Sequence, residues 1–361
     1  MEENKEIRLI NALKDCSKSA ARPDFGDIAA LLKQYGVFEL REVGLIDTSH
    51  GADDIRWNFI VDRKYVLRFC NAPDMTEPRM EDLNRLIDRY RTFGFRCPAF
   101  RKAEDGTFFR SWNDLAVYLS DYIDLPLGEE AAEEEKDALR DEVVRSIARF
   151  MERYKGVDLI PTMGMYSLFE LCPYDVPLGI DEKQQNLNTV CDALCASGED
   201  TLAETLKHKN EAIRAHLMPV YKTLPRCVTQ GDENLSNVLV DGGCVAGLID
   251  FNLAGTDVCV NLIANNADFD LDVFHDRPVD AAQTLETALE NYRRNARMML
   301  SEYHATEEER AALPYYAWIA LASQYPYACA FADRIKKEAC RESTLVLLEM
   351  IVDLEPTQLF V

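Results

Sequence analysis

The spacing of apolar positions changes character twice along this chain. From Phe38 to Phe69 apolar and β-branched residues alternate with polar ones in short runs. ELREVGLI, RWNFIVD and YVLRFC therefore read as strands. The polar loop IDTSHGADD separates the first two, and Asp62-Arg63-Lys64 turns between the next two. Over 78–93 (PRMEDLNRLIDRYRTF) the period becomes helical. Met80, Leu83, Leu86, Ile87 and Tyr90 then share one side, and Gly94 is the stop. PAFRKAEDGTFFRSW and LAVYLSDYID follow as two more strands around a turn at Asp105-Gly106. Ahead of all this, residues 1–37 read as a helical lead-in ending in DIAALLKQYG. The pattern predicts a small antiparallel sheet with one inserted helix over about 40–124.

LPLGEEAAEEEK (125–136) is acidic, opens with Pro and Gly, and reads as a boundary or as a solvated helix start. Beyond it the spacing is mainly helical: DALRDEVVRSIARFMERY, then the irregular GMYSLFELCPYDVPLGI, then EKQQNLNTVCDALCA and DTLAETLKHKNEAIRAHLMPVYKTL. One segment interrupts the helices. RCVTQGD carries a short β-prone piece and a Gly231-Asp232 turn, and NVLV is an apolar strand. Asp241-Gly242-Gly243 is a hairpin signal, and CVAGLIDF is the returning strand. Helices follow to the end. The expected organisation is an N-terminal region, 1–124, and a larger, mainly helical region, 125–361.

Composition narrows the function. The chain has 361 residues, 47% of them hydrophobic, enough for a substantial core. Its formal net charge of -23 argues against a nucleic-acid partner, which calls for clustered Lys and Arg; it is compatible with a cationic substrate, but reads first as acidity that keeps a protein soluble. No apolar run approaches the roughly 20 residues a bilayer needs, and the charged start MEENKEIRLINALKDCS does not read as a signal peptide. A cytoplasmic protein without membrane or nucleic-acid partners is expected. The eleven cysteines include no CxxC pair and the five histidines no HExxH spacing. Reduced, mostly buried thiols are expected rather than a zinc site.

The interrupting segment is where chemistry concentrates. A loop feeding a strand–turn–strand brings Asn237, at the start of one strand, toward the end where Asp250 closes the other. Asp232 stands five residues before Asn237. Two carboxylates and an amide on one loop and hairpin suit phosphoryl transfer. One carboxylate takes the proton of the attacking hydroxyl, while a carboxylate and an amide oxygen hold Mg²⁺.

QGDENLSNVLV…GLIDF (Gln230 to Phe251) resembles the HGD-xxxx-N-strand-turn-strand-IDF signature of the aminoglycoside phosphotransferase and choline kinase group. The resemblance is strongest over 230–262, and the order of elements extends it from 38. It implies an α+β, two-lobed protein-kinase-like fold, with a small antiparallel-sheet N-lobe containing one helix and a larger helical C-lobe. It implies Asp232 as catalytic base, Asn237 and Asp250 as Mg²⁺ ligands, ATP or GTP as donor, and a small hydroxylated acceptor, aminoglycoside, amino alcohol or sugar-like. Arg68 of YVLRF takes the place of the phosphate-binding basic residue and Glu81 that of its helical partner. The loop holding Ser49 and Gly51 would cover the phosphates, and the main chain of Tyr122 and Ile123 would meet the base. An ordinary surface arginine and an ordinary helical glutamate are the alternatives for Arg68 and Glu81.

Three departures matter. Gln230 stands in place of the usual His, Arg68 where Lys is commoner, and Asn261 where an Asp often follows the IDF strand. They keep open a catalytically weak nucleotide-binding protein acting as sensor or scaffold. A protein kinase is disfavoured, since no DFG and no APE-type activation segment follow. On the acceptor side, ADFDLDVFHD (Asp268, Asp270, Asp272, Asp276) reads as a solvated loop before it reads as an amine pocket. YYAWIALASQYPYACAF (315–331) reads as core before it reads as a cation cage. Oligomeric state is not legible.

Overall fold

The structure is a computed structural model and describes residues 22–49, 54–71 and 75–360. The start of the expected N-terminal helix and Gly51 lie outside these residues. The first described helix, α1 (Phe25–Gln34), is started by a capping box in which Asp24 and Asp27 exchange side-chain to main-chain bonds of 2.8 and 3.1 Å. It buries Ile28, Leu31 and Leu32.

Strands β1 (Val43–Asp47), β2 (Arg56–Val61) and β3 (Tyr65–Cys70) follow. Next come helix α2 (Glu77–Phe93) and strands β4 (Phe100–Arg101), β5 (Arg110–Trp112) and β6 (Leu115–Asp121). They form one antiparallel sheet in the order β1-β2-β3-β6-β4, with β5 on β6. Thr76 caps α2, and Gly94 ends it in a left-handed conformation at φ 117°. The predicted turn at Asp105-Gly106 exists, with Gly106 N–H donating to Ala103 C=O at 2.9 Å. The tight hairpin into β6, however, is made by Asn113-Asp114 at φ 45° and 64°. Asn and Asp tolerate that conformation, which the apolar run on either side conceals.

Alternation along β2 and β3 sends Trp57, Phe59, Val61, Leu67 and Phe69 to the face covered by α1, where Val117 and Leu119 join them. Each such side chain contributes about 1.5–3 kcal/mol relative to exposure. Arg68 pairs in register with Asn58 and Tyr118 and so shares their face, the opposite one.

The chain continues through α3 (Glu133–Tyr154), α4 (Glu182–Ala196), α5 (Asp200–Leu217) and β7 (Arg226–Thr229). The hairpin β8 (Val238–Asp241) and β9 (Cys244–Leu248) comes next, then β10 (Gly255–Val258), which pairs with β7. Helices α6 (Cys259–Asn266), α7 (Ala281–Glu302), α8 (Glu307–Ser323), α9 (Tyr325–Lys336) and α10 (Glu338–Asp353) complete the described chain.

Where the pattern predicts one boundary after Asp124, the chain passes between two compact units after Ala131, Asn234 and Ile249. The β8–β9 hairpin belongs with the sheet. Val240 N–H donates to Pro126 C=O at 2.9 Å, Arg96 N–H to Ala246 C=O at 2.8 Å, and Glu129 N–H to Leu235 C=O at 3.0 Å. The second unit holds the helices from α3 onward with β7 and β10. Most of the aromatic run 315–331 is core there: Tyr316, Trp318, Tyr327 and Phe331 are buried. Of the ten cysteines among the described residues, seven are buried. No helix among the described residues is long and apolar enough to cross a membrane.

Candidate active site

The loop after β7 is built around two constraints. Thr229 is the last residue of β7 and pairs with Gly255. Two residues on, Gly231 adopts φ 84°, and a Cβ there would stand 2.6 Å from the Leu253 carbonyl oxygen. Only glycine fits. Between them Gln230 is fully buried, and its amide faces two ways. Its Oε1 accepts from Asp232 N–H at 2.6 Å, and its Nε2 donates to Asp250 C=O at 2.5 Å. One side chain thus ties the main chain of one motif aspartate to that of the other. Asp232 is half-buried, and its Oδ1 accepts from Asn234 Nδ2 at 2.6 Å. Asp250 is exposed and held at φ 54°, a left-handed conformation costly outside glycine and concentrated at functional sites.

In the first unit, Asn237 is buried and opens β8. Its carbonyl accepts from Ile249 N–H at 2.9 Å, one peptide before Asp250. Gly242 and Gly243, at φ 59° and 80°, make the tight turn that the Asp-Gly-Gly signal predicts.

The second unit adds groups that sequence reasoning missed. Glu233, next to Asp232, is buried and pushed up to about 7 by desolvation, against main-chain hydrogen bonds at Gly231 and its own amide. Asp257 on β10 is also buried and pushed up to about 7 by desolvation. Asn261 donates at 3.0 Å to Asp257 Oδ2 and at 2.6 Å to the Tyr166 carbonyl. The amide braces a carboxyl and a loop at once, which a carboxylate there would not do. The only sequence signal for Glu233 was a charge inside an otherwise conventional loop.

The acidic-aromatic stretch is partly tied down. Tyr327 O–H donates to Asp268 Oδ1, and the Phe274 ring stacks on Tyr327 with centroids 5.8 Å apart. Asp272 and Asp276 instead face His275 and Lys337 at the surface.

The remaining predicted residues lie in the first unit. Arg68 sits on β3, half-buried. Glu81 is exposed and ion-paired with Lys102, not placed as the partner of Arg68. Its position on the outer side of α2 is the reason, because the buried side is taken by Met80 and Leu83. Ser49 closes the β1–β2 connection. Its N–H donates to Asp47 Oδ1 at 3.0 Å, and its Oγ accepts from Arg56 N–H at 2.9 Å. Tyr122 N–H donates to Lys64 C=O at 2.8 Å, and Ile123 C=O accepts from Leu125 N–H at 3.0 Å. Among the described residues no group of three or more His, Cys, Asp or Glu is arranged to hold a metal ion.

The model of a family described as "Phosphotransferase enzyme family" (APH) matches residues 47–259, more than half of the chain. No curated protein matches. Among solved structures, an aminoglycoside phosphotransferase from Alicyclobacillus acidocaldarius is similar at 13% identity and a TM-score of 0.51, over 96% of this chain and 96% of that one. The amicoumacin kinase hAmiN, in complex with AMP-PNP, Ca²⁺ and Ami, is similar at 12% identity and 0.51, over 92% of this chain and 97% of that one. A spectinomycin phosphotransferase in complex with ADP and spectinomycin is similar at 11% identity and 0.50, over 91% and 99%. At these identities the likeness is one of fold, and it is the expected α+β kinase-like fold.

Proposed function

Because the chain belongs to the phosphotransferase enzyme family, we propose that it transfers the γ-phosphoryl group of ATP or GTP to a hydroxyl of a small amine-bearing molecule. In this reading Asp232 takes the proton of the attacking hydroxyl, and Asn237 and Asp250 hold Mg²⁺. The observation that carries it is the Gln230 amide, bonded at 2.6 Å to the main chain of Asp232 and at 2.5 Å to that of Asp250. Gln230 does the bracing work expected of a histidine, so it gives no support to a catalytically weak scaffold.

The donor set fits a hard cation: an exposed carboxylate at Asp250 and an amide at Asn237, with nucleotide phosphates and water completing the shell. Bound there, Mg²⁺ would neutralise charge on the transferring phosphoryl group. Residues 1–124 serve the nucleotide and 125–361 the chemistry and acceptor, with the 238–248 hairpin lent to the former. Arg68 takes phosphate as a fork rather than as a lysine point charge. Ser49 steadies the loop that also carries Gly51. Tyr122 N–H is already used by Lys64, so contact with the base falls to Tyr122 C=O and Ile123 N–H. Glu81 has no part in this reading, since Lys102 takes its carboxylate. An amine-bearing acceptor suits the formal net charge of -23.

A thermal melt tests the donor side. MgATP should raise the melting temperature of the wild type, and Asp250→Ala should lose that rise. A rise of equal size in Asp250→Ala would remove the metal role.

A further inference from the structure

Tyr166 stands outside every motif in the sequence, yet three independent devices fix it beside the loop of Asp232. The first is backbone. Gly164 N–H donates to Thr256 C=O at 2.9 Å, and Asn261 donates to the Tyr166 carbonyl at 2.6 Å. Gly255 lies so close to this loop that a Cβ there would stand 2.4–2.6 Å from the main chain of Met163 and Gly164. Gly255 in turn pairs with Thr229, three residues before Asp232. The Tyr166 loop is thus clamped to the strand that pairs with the one feeding Asp232.

The second device is a buried cation. Lys183 Nζ lies 4.8 Å from the centroid of the Tyr166 ring, and the residue is 1% exposed. It stands in the first turn of α4, after the N-cap Asp181. Both burial and the helix dipole disfavour a cation there. Stability alone does not explain it. Its nearest carboxylate oxygen, Glu182 Oε2, is 3.1 Å away but out of hydrogen-bond alignment, so none of its donors is used in a hydrogen bond. The turn itself is rigid. Arg214 holds Asp181 with two bonds of 2.8 Å, and Asn186 holds the other oxygen of Glu182 at 2.6 Å.

The third device is the surroundings of the phenol. It is half-buried, so its tip stays open to solvent. Burial first, then the charges of Glu233 and Asp232, push its proton affinity far up, so it stays a neutral donor and acceptor. A polar group fixed on both its backbone and its ring, on a loop clamped to the strand pair that feeds Asp232, is shaped to meet a ligand.

We propose that Tyr166 is an acceptor-site residue whose phenol hydrogen-bonds a polar group of the substrate beside the reacting hydroxyl, and that Lys183 is a positioning residue that holds its ring. The proposal rests on the reading of Asp232 as base. The test supplies MgATP with ethanolamine, kanamycin and glucose as acceptor probes and follows phosphorylated product. Tyr166→Phe should raise KM for the acceptor about tenfold, the loss of one hydrogen bond, and leave KM for MgATP unchanged. Lys183→Met should raise the same KM, Lys183→Arg should restore it, and in a Tyr166→Ala background Lys183→Met should add less than twofold. An acceptor KM in Tyr166→Phe within twofold of wild type overturns the role of Tyr166. A Lys183→Met effect undiminished in the Tyr166→Ala background overturns the positioning role. Wild-type turnover in Asp232→Asn is the separate sign that the base reading itself has failed.

Discussion

The two compact units differ in how much charge they bury. In the first, several ion pairs lie at the surface, Arg63 with Asp124, Arg101 with Asp121 and Lys102 with Glu81 among them, and Arg79 is the one buried charged residue among those described. Such pairs are worth about 0–1 kcal/mol. In the second, Glu233, Asp257, Asp181 and Lys183 are all buried. Desolvation makes each of these expensive, and pairing recovers only part of the cost. A unit that retains four such groups keeps them for something other than stability. The sheet unit is built to present main chain and hairpin. The helical unit buries its ionisable groups, Glu233 next to Asp232 among them.

The comparison breaks most visibly at Gln230. Gln230→Ala removes a buried amide that satisfies one main-chain donor and one acceptor, and should cost about 2–4 kcal/mol in urea unfolding. A loss below about 1 kcal/mol would mean the brace is dispensable.

A smaller effect comes from pH. Burial raises the Glu233 carboxyl from 4.5 to about 7, and Asp257 from 3.8 to about 7. Between those values the folded chain keeps protons that the unfolded chain has released. Stability therefore falls as pH rises from about 4 to about 7, by at most about 1.4 kcal/mol per pH unit for each group. Glu233→Gln should make the fall in melting temperature between pH 5 and 7.5 shallower than in the wild type. Equal slopes would show that Glu233 does not titrate there.

The smallest effect belongs to the surface. Glu81→Ala should change stability by about 0.5 kcal/mol or less and leave KM for MgATP within about twofold. A large rise in KM would restore Glu81 to the nucleotide site.

Local pattern made some of this legible. The helix ending at Gly94 and the 238–248 hairpin each follow from spacing and turn chemistry within about 20 residues. The strand β10 did not follow, because GTDV is only four residues and exists by pairing with Arg226–Thr229 across the loop. The second role of Gln230, its bond to a main-chain oxygen twenty residues on, has no local signature. Nothing in EKQQ marks Lys183 as buried, yet it is 1% exposed, with its Nζ 4.8 Å from the ring of Tyr166, 17 positions earlier. Periodicity locates the helix of Glu81, but its pairing with Lys102 depends on the strand beside it.

The central claim is that Asp232 is the base of a phosphoryl transfer. It is tested most directly by comparing Asp232→Asn with the wild type for both MgATP binding and product formation. Binding should be retained, seen as an equal rise in melting temperature with MgATP, while phosphorylated product falls by about 10²–10⁴-fold. Wild-type turnover in Asp232→Asn would contradict the assignment.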